Sequence, residues 1–277
     1  MKNKCCICQD RGAAKLYKKI NDHILLQCPK CQLVYLDEAL ITGGDFIETA
    51  KQEFDKKEDR ERVEYWSFPH LYEKHKKIFH QYFQERLRRM MQFKPKISSV
   101  FDAGCGYGFW LKFCKDQGIE VKGIDISDEA VSYARRVLGV EAERTSLEDY
   151  VFEKKYDAVV VCDLLEHLCE PNSQLKKIYH GLSDDGILFV QVPNILGFKL
   201  PISHGFGLPY HLWQFNTSTL SKLLKKNGFK VLEFWTGVMG VVGVYESGGP
   251  RIWESIGWAL AKSLKIGNRL MVAAKKI

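Results

Sequence analysis

Short apolar runs alternate with amphipathic segments along the last two thirds of the chain. The runs lie at 100–103, 120–125, 140–144 and 156–162. The run at 156–162 is apolar on both faces, as expected for a parallel strand buried between two layers of helices. The alternation of strand-type and helix-type segments predicts an α/β fold with a doubly wound sheet.

Helices are predicted between these runs and ahead of them. The segment 109–117 fits a crossover helix ended by Gly118, and Ser127 is typical of the N-cap of a helix that reaches about residue 138. Further upstream, 69–93 places aromatic and aliphatic residues at helical spacing, with lysines and arginines elsewhere. This pattern predicts an amphipathic helix that covers the sheet.

Three glycines follow the first apolar run directly. Gly104, Gly106 and Gly108 come after Asp102, and the dinucleotide pattern G-x-G-x-x-G fails because Phe109 occupies its third glycine position. About 20 residues beyond the loop, Asp125 ends the second run, at the spacing that brings a ribose-binding carboxylate to the next strand tip. A nucleotide-type cofactor other than a dinucleotide is expected here.

The loop Asp102-x-Gly104-x-Gly106-x-Gly108 resembles motif I of the class I S-adenosylmethionine-dependent methyltransferases. Later segments resemble the ubiquinone-type and related small-molecule members in the same order along the chain. These segments are Glu166-His167-Leu168 followed by Pro171, the strand-like 186–194, the stretch 211–215 followed by 217–227 and Gly228-Phe229, and the strand-like 268–275. The resemblance covers 97–277 and implies a seven-stranded Rossmann-like sheet whose last strand is antiparallel.

The same resemblance implies roles for individual residues. Asp102, Gly104 and Gly106 would position the methionine part of S-adenosylmethionine, and Asp125 would bind its ribose. The expected adenine contacts are Ile126, Ser146 and Leu147, and the backbone of Cys162 would meet the methionine end. A histidine is expected to act as the base, because its side chain can take a proton near neutral pH. His167 is the first choice and His211 the second. His204 and Glu166 are further candidates for proton transfer.

Five of the nine cysteines are near the amino terminus. Cys5-x2-Cys8, nineteen intervening residues and Cys28-x2-Cys31 give the spacing of a tetrahedral zinc site with four thiolates. A disulfide framework conflicts with the expected cytoplasmic location, and a redox Cys pair lacks the βαβ context. Residues 1–44 are therefore predicted to form a structural zinc ribbon, with Cys6 as a spare thiol.

Charge changes this picture only slightly. Residues 45–96 are predicted as a charged linker and the amphipathic helix, and 97–277 as the catalytic domain. The first 97 residues hold 20 basic and 14 acidic residues, whereas the remainder holds 21 and 20. The basic surplus could guide an anionic acceptor, but a solvated helix surface is the favoured explanation. No apolar run approaches the length of a membrane span, so a cytoplasmic enzyme is expected.

Several functions remain open at this point. A zinc ribbon ahead of such a sheet resembles bacterial methyltransferases associated with sugars and surface glycans, which implies a small-molecule, sugar or lipid-linked glycan acceptor. A ribosomal RNA base methyltransferase with an amino-terminal zinc module is one alternative, and a non-catalytic zinc-ribbon adaptor is another. A nicotinamide dehydrogenase is disfavoured by Phe109. The stretch 195–214 is longer than an ordinary connection and is expected to contact the acceptor.

Overall fold

A computed structural model describes residues 5–9, 14–37, 69–197, 206–237 and 267–277. The charged linker predicted at 45–68, His204 and much of the expected acceptor loop lie outside these ranges. Two sheets are present, one of four strands and one of seven. None of the described helices combines the length and the apolar composition that crossing a bilayer requires.

The amino-terminal strands form an antiparallel meander. Strands β1 (Lys15–Ile20), β2 (His23–Gln27) and β3 (Val34–Leu36) pair in sequence order. Most of β1 is exposed at the edge, whereas all three residues of β3 are buried. This meander and the two Cys-x2-Cys segments are called the ribbon below.

The large sheet confirms the predicted doubly wound α/β architecture. Its strands are β4 (Ser99–Ala103), β5 (Glu120–Asp125), β6 (Ala142–Arg144), β7 (Tyr156–Cys162), β8 (Leu182–Pro193), β10 (Phe229–Gly237) and β11 (Arg269–Lys276). Their order is β10-β11-β8-β7-β4-β5-β6, and β11 runs antiparallel to both neighbours. The chain order reverses at β4, and ligands of open α/β sheets bind beyond the carboxyl ends of the strands at such a point.

Five described helices flank this sheet. They are α1 (Pro69–Met91), α2 (Phe109–Asp116), α3 (Asp128–Arg136), α4 (Pro171–Gly181) and α5 (Thr217–Lys226). The Ser127 hydroxyl accepts the N–H of Ala130 at 3.2 Å, so the predicted N-cap is confirmed. Helix α1 buries the aromatic and aliphatic face that its spacing predicts, and its Tyr72 ring stacks on Phe109 with centroids 3.8 Å apart.

The ribbon sheet takes its fourth strand from the part of the chain that carries the large sheet. Strand β9 (Trp213–Gln214) pairs antiparallel with β3, Tyr35 lying opposite Trp213. Helices α4 and α5 hold the other side of the ribbon: Asn172 Nδ2 and Lys226 Nζ both donate to the Cys6 carbonyl, at 2.7 and 3.0 Å. The ribbon therefore packs on the sheet domain as part of one folded body.

Candidate cofactor and acceptor site

The glycine loop runs from the end of β4 to the start of α2, over the carboxyl edge of the sheet. Gly104, Gly106 and Gly108 have φ values of +78°, +52° and +80°, a left-handed conformation that side chains disfavour. A Cβ on Gly106 would meet nothing within 4 Å, whereas one on Gly108 would lie 2.9 Å from the Ala134 Cβ. Gly106 thus leaves its backbone open to a ligand, and Gly108 allows close packing on α3.

Asp125 lies at the end of β5, where the spacing predicts it. Its Oδ2 accepts the N–H of Gly106 at 2.8 Å and its Oδ1 accepts the N–H of Ser127 at 2.9 Å. These two bonds fix the carboxylate between the glycine loop and the start of α3. A carboxylate accepts hydrogen bonds only, which suits the two hydroxyl groups of a vicinal diol such as a ribose edge.

The carboxyl group of Asp102 is 4% exposed below the loop. Burial raises its pKa to about 7; the positive charge of Arg86 opposes this rise and the negative charge of Asp125 adds to it. Arg86 itself is 8% exposed on α1, with its guanidinium 4.8 Å from the Trp110 ring centroid. Sequence analysis missed Arg86 because it reads as one more basic residue of an amphipathic helix.

The remaining cofactor candidates border the same edge. Ile126 is half-buried directly after Asp125, and Cys162 ends β7, where burial raises the pKa of its thiol. Ser146 donates its hydroxyl to Asp149 at 2.7 Å, and the Leu147 side chain is buried in the core. The Ser146 carbonyl accepts the N–H of Tyr150 and the Leu147 carbonyl accepts Lys177 Nζ, so the N–H groups of this turn are the backbone candidates for contact with adenine.

The two candidate histidines come together in space. The rings of His167, in a 3₁₀ turn Leu165–His167, and His211 are perpendicular with centroids 4.8 Å apart. His167 Nδ1 lies 2.9 Å from the Tyr210 carbonyl oxygen. A carbonyl only accepts, so Nδ1 carries the proton and Nε2 keeps a lone pair. Burial lowers the pKa of His167 to about 4, which keeps this ring neutral at physiological pH.

Glu166 completes this cluster. Its side chain is fully buried, and neither carboxylate oxygen has a hydrogen-bond partner among the described residues. Burial first, and the charge of Asp163 second, raise the pKa of Glu166 far above its ordinary value. One donor atom from each of Glu166, His167 and His211 lies within 4.8 Å of the others. A carboxyl group and two imidazoles can exchange protons with a reactant, and they are also a set of ligands suited to a divalent ion.

The four ribbon cysteines also converge as predicted. The Sγ atoms of Cys5, Cys8, Cys28 and Cys31 all lie within 4.8 Å of one another. Burial alone would raise the pKa of Cys28, but N–H groups of Cys31 and Lys30 bond to its sulfur and bring the pKa below its ordinary value. Four convergent thiols with amide support fit a tetrahedral zinc ion and leave it no open position.

Both cysteine segments close in the same way. Gln9 and Gln32 have φ values of +54° and +68°, and each donates its N–H to the carbonyl of the first cysteine of its pair, at 2.8 and 3.0 Å. The Gln32 side chain also donates to the Pro29 carbonyl at 2.9 Å. Gln32 therefore closes the second segment in the left-handed conformation that glycine adopts most readily.

Comparison with known proteins identifies the family that this fold and glycine loop define. Residues 72–233 match the family described as a methyltransferase domain, and the chain belongs to that family. The ubiquinone biosynthesis O-methyltransferase of Actinobacillus pleuropneumoniae serotype 5b is 30% identical over 106 residues. That alignment covers 34% of this chain and 45% of that enzyme, so the chain spans less than half of the relative's length.

Solved structures agree with the fold. Burkholderia thailandensis 1,6-didemethyltoxoflavin-N1-methyltransferase, with bound 1,6-didemethyltoxoflavin and S-adenosylhomocysteine, superposes with a TM-score of 0.57. The match covers 95% of this chain and 99% of that one at 14% identity. A SAM-dependent methyltransferase from Archaeoglobus fulgidus gives 0.52 at 22% identity, covering 71% of this chain and 94% of that one. These similarities establish a Rossmann-like methyltransferase fold.

Proposed function

We propose that this protein transfers the methyl group of S-adenosylmethionine to a small-molecule acceptor. The observation that carries the proposal is the bond from Gly106 N–H to the Asp125 carboxylate at the reversal point of the sheet. It holds an open glycine backbone and a diol-binding carboxylate together, as a nucleoside cofactor requires. Family membership and a structural relative with bound S-adenosylhomocysteine support this reading.

The proposed cofactor pose follows from the charges at the edge. Asp125 binds the ribose diol, and the 126 and 146–147 backbone borders the adenine. The methionine part then lies over Gly104, close to Asp102 and Cys162. Its ammonium is opposite the Asp102 carboxyl, and its carboxylate pairs with the buried guanidinium of Arg86.

The acceptor is proposed to bind beside the His167 and His211 pair. Direct methyl transfer needs orientation and a place for the acceptor's proton. His167 Nε2 is neutral and carries a lone pair, so it can accept a hydrogen bond from the acceptor; its pKa of about 4 makes it a weak base that receives the proton once methylation has acidified the acceptor. The perpendicular ring of His211 has its centroid 4.8 Å away. The two relatives are named for ubiquinone biosynthesis and for toxoflavin, and this favours small molecules over polymers as acceptors. Sugar and lipid-linked glycan acceptors remain within the proposal.

Zinc is proposed as the second bound component. Four thiolates around one Zn²⁺ would fold the ribbon and leave the metal without a catalytic position. The metal would supply folding energy, because the short ribbon strands have little core of their own. Metal analysis of the purified protein, expected to give one zinc per chain, checks this assignment.

The Asp125→Ala variant tests the cofactor site. We expect calorimetry to show about 10- to 100-fold weaker binding of S-adenosylhomocysteine, because charge-assisted bonds to the ribose are lost. Asp128→Ala is the matched control: Asp128 is an exposed acid three residues away, and its removal should leave the affinity unchanged. An unchanged affinity in Asp125→Ala, or no binding by the parent protein, would reject the proposed enzyme and favour the adaptor.

Acceptor class is tested with methyl-labelled S-adenosylmethionine. Incubation with separated small-molecule, lipid-linked glycan and ribosomal RNA fractions should label the small-molecule or glycan fraction. Label in RNA would instead support the RNA methyltransferase. His167→Ala should lower kcat more than it weakens S-adenosylhomocysteine binding, since the ring is assigned to the acceptor side.

A further inference from the structure

The ribbon is joined by hydrogen bonds to the segment that carries His211. Strand β3 pairs with β9, so Tyr35 and Trp213 lie opposite each other, with ring centroids 6.0 Å apart. The Leu36 N–H donates to the Leu212 carbonyl at 2.9 Å, which continues the pairing to within one residue of His211. The outer side of the 211–214 segment is thus occupied by the ribbon.

The inner side of the same segment holds the turn that carries His167. The Leu212 N–H donates to the Glu166 carbonyl at 2.9 Å, and the Trp213 Nε1–H donates to the Leu168 carbonyl at 2.7 Å. His167 Nδ1 donates to the Tyr210 carbonyl, as described above. These three bonds hold 166–168 against 210–213. Two of them are donated by Leu212 and Trp213, which lie next to β9 and within it.

Helix α5 holds both Cys-x2-Cys segments of the ribbon, on the side opposite to β9. Lys226 Nζ donates to the carbonyls of Cys6 and Ile7, at 3.0 and 2.7 Å, and Lys222 Nζ donates to the Cys31 carbonyl at 3.2 Å. Both lysines are on α5, which begins three residues after Gln214. The ribbon therefore bridges α5 and β9 across the acceptor side of the sheet.

We propose that the folded ribbon positions the two histidines, and that Trp213 is the positioning residue through which it acts. Trp213 is 5% exposed and contacts both partners: its ring faces Tyr35 of the ribbon, and its N–H holds the turn after His167. Without this contact, the backbone could no longer keep His167 and His211 at 4.8 Å and perpendicular. Only the name 'acceptor side' rests on the proposed function. The coupling between the ribbon and the two histidines does not depend on it.

Hydrogen exchange of the full-length, zinc-loaded protein tests the coupling without an acceptor. In Trp213→Phe, which keeps the ring and loses the N–H donor, amides of 164–170 and 206–215 should exchange about fivefold faster or more. Trp235→Phe is the matched control, because Trp235 is an equally buried indole on β10, outside these contacts. It should leave both segments unchanged.

Removal of zinc by a chelator forms the second arm. Exchange should rise in 14–37 and also in 206–215, whereas 100–108 and 120–127 keep their protection and S-adenosylhomocysteine affinity stays within about twofold. Fast exchange confined to 14–37, with 206–215 unchanged, would overturn the proposal. If chelation abolishes S-adenosylhomocysteine binding, the proposal is instead accepted or rejected on the exchange rates of the zinc-loaded Trp213→Phe protein. Failure of the parent to bind S-adenosylhomocysteine contradicts the proposed function only.

Nitrogen spectra of the histidine side chains provide a readout that general loosening would not produce. In the parent protein, His167 should show one fixed tautomer with the proton on Nδ1, because the Tyr210 carbonyl accepts it. In Trp213→Phe the two tautomers should mix. A single unchanged tautomer in that variant would show that Trp213 does not position this ring.

Discussion

At the scale of single residues, the charges around Asp102 decide how the cofactor end is recognised. The almost fully buried Asp102 carboxyl group has a pKa of about 7 under the opposing charges of Arg86 and Asp125. In the proposed cofactor site, Arg86 would attract a carboxylate, and Asp102 would attract an ammonium only in its ionised form. Under the proposed function, recognition of the methionine part would therefore be coupled to a proton.

This coupling predicts a pH dependence of binding. In the protein without a bound cofactor, the Asp102 carboxyl group has a pKa of about 7. A bound ammonium favours the carboxylate and lowers that pKa, so binding below pH 7 must release a proton. Affinity for S-adenosylhomocysteine should rise as pH increases through 7 and level off above it.

Calorimetry in buffers of different ionisation enthalpy measures the released proton. Asp102→Asn should bind without proton release between pH 6 and 7. So should the parent with 5′-methylthioadenosine, which lacks the ammonium. Proton release with that ligand would assign the linkage to another group.

At the scale of elements, local patterns predicted most of what the structure contains. Strand β7 begins and ends where the apolar run does, and α2 and α3 end within two residues of expectation. These elements follow from periodicity and end signals that lie within a few residues. Strand β9 could not be predicted, since two residues gain their strand character only from β3, about 180 positions away. Arg86 was missed, and the burial of the Glu166 carboxylate was not foreseen, for a related reason: burial of a charged side chain is set by distant neighbours.

The glycine loop and α3 provide a test of element packing. Gly108→Ala should destabilise the protein by about 2 to 4 kcal/mol, because its Cβ meets Ala134 and Val140 at 2.9 and 3.1 Å and its φ is positive. Gly106→Ala should cost only about 1 kcal/mol, since nothing lies within 4 Å of that Cβ.

Cofactor affinity should rank the two variants differently. Gly106→Ala should weaken S-adenosylhomocysteine binding strongly, because the new methyl group occupies the side of the loop that is open to a ligand. Urea unfolding and calorimetry measure the two quantities separately. Equal stability losses would mean that the loop yields to the Gly108 side chain by moving away from α3.

At the scale of the whole molecule, the ribbon and one face of the large sheet share a single apolar core. Buried residues of the ribbon, including Leu25 and Leu33, belong to the same cluster as Phe215, Leu220 and Phe229. The opposite face, with α1 and α2, forms a second cluster. Zinc binding should therefore stabilise more of the chain than the residues around the metal.

Calorimetric unfolding checks this expectation. The zinc-loaded protein should unfold in one transition, because the shared core makes independent melting of the ribbon costly. Chelation should lower the midpoint by several degrees, and excess S-adenosylhomocysteine should raise it with or without zinc. Two separate transitions in the zinc-loaded protein would show that the ribbon is an independent domain.

The origin of β9 also limits how this protein can be divided. A chain shortened to begin at residue 69 would keep Trp213 and Gln214 but lose β3, the strand with which they pair among the described residues. It would expose the indole ring and an unpaired strand edge beside the histidines. Replacement of the ribbon by another zinc module faces the same constraint, because the new module must match segment 206–215 as well as hold the metal.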